Sequence, residues 1–124
     1  MAIKDSLLPQ FDQEMASTRK MLERVPEDAI DWRPHPKSMT LGRLATHVAQ
    51  TPVWGQRAFA GDSWDPAPPG SPPPAPLTLR TRSEMLALFD ENVAAARGAI
   101  GAADDAAFGK PWSLLRGGAP IFTM

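Results

Sequence analysis

Trp32-Arg33-Pro34-His35-Pro36-Lys37-Ser38-Met39-Thr40-Leu41-Gly42-Arg43-Leu44-Ala45-Thr46-His47-Val48-Ala49-Gln50 is the stretch from which the fold is read. Pro34 and Pro36 fix two backbone angles and push Arg33 and His35 toward extended geometry, so the stretch opens as a loop. Ser38 or Thr40 can then cap the free amides that begin a helix. Beyond them Leu41, Leu44, Val48 and Thr51 recur at steps of three and four residues, the period of a buried helical stripe. His47 follows Leu44 by three positions and adjoins Val48, which places it on or beside that stripe and near the core.

The chain of 124 residues around this stretch is one domain, 1–124, by length. A hydrophobic fraction of 43% against 22% charged residues supplies a core and a solvated surface, as in globular proteins. Net charge is -1 with the two signs interspersed, which argues against a nucleic-acid partner, since that needs a positive face. Cysteine is absent, so disulfides, thiolate zinc sites and thiol nucleophiles are excluded, and a cytoplasmic location fits. No apolar run approaches the roughly 20 residues that span a bilayer, and Met1-Ala2-Ile3-Lys4-Asp5 lacks the layout of a signal peptide.

Three helices are expected. The first runs from about Asp5 or Ser6 to Arg24, with Leu8, Phe11, Met15, Thr18, Leu22 and Val25 on one face and Pro26 ending it. Ile30 and Trp32 in the following segment lie back over the helices. The second starts near Thr40 and reaches about Phe59 or Ala60, kinked rather than broken at Pro52. The third opens at a capping box, Thr81-Arg82-Ser83-Glu84, and buries Met85, Leu88, Phe89, Val93, Ala96 and Ile100, with Asn92 beside that stripe. Between the second and third, residues 62–80 form a proline-rich crossover. In polyproline form it rises about 3.1 Å per residue, so roughly ten residues match a 20-residue helix of about 30 Å. The crossover can therefore return the chain to the start of the second helix and make the second and third helices parallel. The tail from Trp112 to Met124 holds two short apolar runs around Gly117-Gly118 and suits a hairpin or an irregular loop.

The chemistry-bearing residues are few. A lone histidine near an apolar face is by default a hydrogen-bonded core or rim residue, and a metal site needs three or four ligands. The chain has only His35 and His47, without a His-x-x-x-His pair. Asp5, Asp12, Glu14, Asp90 and Glu91 fall mostly toward solvent, and no serine sits in a Gly-x-Ser-x-Gly turn. The tryptophans at 32, 54, 64 and 112 read as packing anchors rather than a stacking platform. The crossover reads as a spacer rather than a Pro-x-x-Pro ligand for a partner groove.

The run from Glu23 to Asp28 and then Asp31 to Val48, with its Trp-x-Pro-His-Pro-Lys-Ser-Met-x-Leu-Gly-x-Leu-x-x-His arrangement, closely resembles the DinB family of metal-dependent proteins. The resemblance extends over the third helix and the tail. It implies an all-α, DinB-like helical bundle of the up-down-down-up type, of which this chain holds three helices out of four. It also implies that His47 is one of three metal ligands, the other two coming from a His-x-x-x-His pair on a fourth helix beyond Met124. His35 belongs to the loop motif and is not a ligand. The cofactor so implied is a divalent metal, zinc or nickel, not stably held by this chain alone. The activity implied is that of a hydrolase or a low-molecular-weight-thiol-dependent transferase on a small-molecule substrate.

With two of three anchors missing, the single domain is expected to be C-terminally incomplete and inactive in its 124-residue form. The competing expectation is a non-catalytic binding or assembly module that dimerises through the open helical groove; an apolar-ligand carrier is a weaker third. A homodimer is the expected partner state, with neither nucleic acid nor membrane.

Overall fold

The structure is a computed structural model that describes residues 2–72 and 74–124; Met1, and Pro73 of the crossover, lie outside the described residues. Helix α1 spans Ile3–Leu22, α2 Leu41–Gln50, α3 Val53–Arg57, α4 Arg82–Ala102 and α5 Asp105–Phe108. Strands β1 (Ser63–Trp64), β2 (Ser113–Arg116) and β3 (Ala119–Thr123) form one sheet in that order. The chain is thus predominantly helical, as expected, with this small sheet beside the helices. Its cause is local: Gly117 and Gly118 take φ of 60° and 84°, the mirror-image turn that matches strand twist and closes a hairpin. Pro120, which has no amide hydrogen to donate, is tolerated because β3 lies at the sheet edge.

Helix α4 is the centre of the packing. It lies against α1 on one side and α2–α3 on the other, while α1 and α2 scarcely touch. Contacts along its length fix the directions. Arg97 binds Asp12 at 2.9 and 3.0 Å, Arg19 binds Asp90 at 2.9 Å twice, and Lys4 reaches the Gly101 carbonyl, so α1 runs antiparallel to α4. Asn92 Nδ2 donates to the Ala49 carbonyl and Ala96 abuts Gly55, so α2 and α3 run parallel to α4. Hydrogen bonds from Arg97 and Arg19 hold the Asp12 and Asp90 carboxyls below the usual carboxylate range. The stability these carboxylates add is therefore present above their unfolded-state titration range and lost as pH falls through the lower, folded-state one. All four side chains are solvent-accessible, so the pairs fix register more than they stabilise.

The core is built from Leu22, Val25, Ile30, Ala45, Ala49, Met85 and Phe89. Ile30 is 2% exposed beneath the loop, whereas Trp32, expected beside it, is 59% exposed. Thr81 accepts the Glu84 amide and donates to its carboxylate, closing the start of α4. Pro52 breaks the helix ladder instead of only kinking it. Lacking an amide hydrogen, it ends α2 at Gln50. Thr51 and Pro52 nevertheless keep right-handed angles, and Trp54 and Gly55 bond three residues back to Thr51 and Pro52.

The crossover does not run as one straight rod. It adds β1 to the hairpin, turns at Gly70 with φ 83°, and returns to the beginning of α2. There the Thr46 hydroxyl, fully buried, accepts the Leu79 amide at 2.8 Å and donates to the Gly42 carbonyl at 2.7 Å. The approach is close because Gly42 has no side chain: a Cβ there would collide with Ile30 Cγ2 and stand 3.1 Å from Thr78 Cγ2. Thr46→Val keeps the shape but strands the Leu79 amide, so chemical denaturation should show a loss of about 1–3 kcal/mol. An unchanged midpoint would show that the hydroxyl does not hold the crossover.

Candidate functional site

The inward face of α2 consists of small residues, Gly42, Ala45, Thr46 and Ala49, all buried. This corrects the expected stripe. Leu41 and Val48 only flank the core, Leu44 is 49% exposed, and Thr51 is exposed. The physical reason is the close approach of Ile30, the crossover and α4, which small side chains alone permit. Bulk is displaced to the outer face, and His47 goes with it. Instead of pointing near the core, His47 is exposed, and its imidazole has no hydrogen-bond partner among the described residues.

His47 stands at the edge of a cleft of about 590 Å³, enclosed by α2, α3, the crossover and one face of α4. That volume falls in the range of small-molecule sites. Trp54 and Trp64 form one wall, edge to face with centroids 4.7 Å apart, and the Arg57 guanidinium lies 5.2 Å over the Trp64 ring. Gln50 and Asn92 add amides to the lining, and Asp65 adds a carboxylate. Both Asp65 oxygens are already engaged, Oδ1 by the Ala67 amide at 2.8 Å and Oδ2 by the Gly118 amide at 2.7 Å. This carboxylate therefore ties the crossover to the hairpin.

The tryptophans divide by role. Trp112 is a buried anchor, 6.1 Å from Trp54 and 6.4 Å from Phe122. Trp54 and Trp64 pack on each other and also face the cleft, so they are more than anchors. Arg57 and Asp65 escaped the reading of the sequence, and Trp64 was read only as a packing anchor. The Trp54–Arg57 spacing, three residues on one helical face, was the available signal for Arg57. Nothing in the sequence showed that Trp64 would fold back against it.

The other candidate ligands lie elsewhere. His35 is exposed in the Pro34–Pro36 loop, where its Nδ1 accepts the Lys37 amide at 3.1 Å. Asp12 and Asp90 are paired with arginines, and Asp5 accepts the Ala2 amide at the start of α1. Among the described residues no group of three His, Cys, Asp or Glu side chains is placed to hold a metal ion. Stable zinc and nickel sites take at least three protein ligands, and the described residues do not gather that many. Among the described residues, no helix is long and apolar enough to cross a membrane.

Helices α1, α2 and α4, joined through the long crossover, make a predominantly helical protein with a small sheet. A model of the DinB superfamily matches residues 10–121, and the chain belongs to that superfamily. No curated protein and no solved structure matches it.

Proposed function

We propose that this chain is the ligand-presenting part of a DinB-like metal-dependent enzyme, a hydrolase or a low-molecular-weight-thiol-dependent transferase acting in the cytoplasm. His47 is one ligand of a zinc or nickel ion, and the cleft beside it receives a small-molecule substrate. The observation that carries this reading is the placement of His47: exposed, without a hydrogen-bond partner among the described residues, and at the lip of a cleft of about 590 Å³. A structural histidine would be bonded to its surroundings. The reading requires two further donors from outside these 124 residues, in an up-down-down-up four-helix arrangement. By itself the chain is inactive.

Calorimetric titration of the chelator-stripped chain with Zn²⁺ tests the donor count. One imidazole gives weak binding, far short of the affinity of three-ligand sites. Tight stoichiometric binding lost in His47→Ala would show that other groups complete the site here, and weak binding unaffected by His47→Ala would remove His47 from it.

A second reading, a binding or assembly module that dimerises, is favoured by the groove between α1 and α2. Because those helices scarcely touch, Met15, Thr18, Val48 and Pro52 line an apolar channel floored by Phe89, and Leu44 stands exposed near it. Unpartnered apolar surface of this kind favours a two-fold interface. Light scattering at micromolar concentration should give the mass of two chains. A single-chain mass without binding of a hydrophobic dye would rule the dimer out.

A further inference from the structure

We infer that the cleft beside His47 selects a small organic carboxylate with a flat apolar body, and that Arg57 is the residue that binds the carboxylate. This rests on the reading of that cleft as the substrate site, and it names the class of substrate.

The argument starts from the charges. Elsewhere in the fold, Arg19, Arg80, Arg82 and Arg97 are each committed to an aspartate or glutamate. Arg24, Arg33, Arg43 and Arg116 have no carboxylate partner among the described residues either, but none of them lines the cleft. Arg57 lines the cleft and has no carboxylate partner among the described residues. The acid nearest to hand in the cleft, Asp65, spends both oxygens on backbone amides instead. The cleft therefore offers a guanidinium with its N–H donors uncommitted. Trp64 holds that guanidinium in place, at 5.2 Å over its ring, so little side-chain freedom is lost when an anion binds. A guanidinium fork matches the two oxygens of a carboxylate.

The walls decide the rest of the ligand. Trp54 and Trp64 meet at 80° and present an aromatic corner beside Arg57. Such a corner suits a flat apolar body, by edge and face contact. Among the described cleft residues Arg57 is the lone lysine or arginine and Asp65 the lone acid, so a ligand with one carboxylate, set at Arg57 and turned from Asp65, fits better than a polyanion.

The test uses the 124-residue protein with chelator present, so its outcome does not depend on metal binding at His47. Benzoate and its neutral counterpart benzamide are titrated while the indole N–H resonances are followed by NMR. Benzoate should shift the Trp54 and Trp64 signals and leave Trp32, exposed and not part of the cleft lining, unmoved. Benzamide should bind roughly tenfold more weakly, as should benzoate to Arg57→Gln, because a charge-assisted bidentate contact is lost. Arg43→Gln removes an exposed cation outside the cleft and should change nothing. Circular dichroism checks that both variants fold. The inference is overturned if millimolar benzoate shifts neither tryptophan, if benzamide binds equally well, or if Arg57→Gln has no effect. It is equally overturned if Arg43→Gln weakens binding as much as Arg57→Gln does. Loss of zinc binding in His47→Ala with benzoate binding intact separates the failure of one reading from the other.

Discussion

The fold turns on one buried hydroxyl. Thr46 joins the crossover to α2 through the Leu79 amide, and it can do so only because Gly42, Ala45 and Ala49 keep that face of α2 narrow. Once the crossover is seated there, the chain must start α4 beside the loop that carries Ile30. The Arg82 amide then meets Glu27, and its guanidinium meets the Val25 carbonyl. Parallel packing of α2 and α4 follows, since the crossover has returned the chain to the end from which α2 began. A net hydrogen bond is worth about 1 kcal/mol, but a stranded buried amide costs more, so the joint acts chiefly by penalising other paths.

The same narrow face sets the site. A helix that buries small residues turns its large ones outward, and His47 shares that outer side with Leu44 and Thr51. Pro52 then interrupts the ladder below it. The Ala49 carbonyl is bonded by Asn92 Nδ2 from α4, which anchors the break to the central helix. The short α3 that follows carries Trp54 and Arg57 into the cleft wall. Imidazole, guanidinium and the Trp54 half of the aromatic corner thus come from one chain segment, and the crossover adds the Trp64 half.

Much of this was legible in the sequence because it rests on local signals. The Thr81 cap, the stripe of α4 and the Pro26 stop depend on spacing and backbone chemistry, and they appear in the structure at or near the residues expected. What the sequence hid is tertiary. The stripe through Leu41, Leu44 and Val48 assumed that bulk marks burial, whereas Ile30 and Thr78 approach Gly42 too closely for any large side chain. Pro52 was legible as a disturbance, but the bond from Asn92 Nδ2 to the Ala49 carbonyl beside the break is tertiary. The pairing of β1 with β2 joins residues about fifty positions apart, beyond the reach of any local pattern. Of the residues that line the cleft, the loop-and-helix motif drew attention to His47 and Trp64 was read as an anchor; the partnership of Arg57 with Trp64 was not legible, since it exists only once the crossover has folded back.

The proposed role of His47 is to face outward as one ligand of a metal whose other ligands come from elsewhere. The most direct measurement is zinc affinity, by competition with a chromophoric chelator, for the chain mixed with a synthetic amphipathic helix bearing one His-x-x-x-His pair. Binding tighter than that of either component alone, with the gain abolished by His47→Ala, is the predicted result. No gain on mixing, or a gain that survives His47→Ala, would contradict the account.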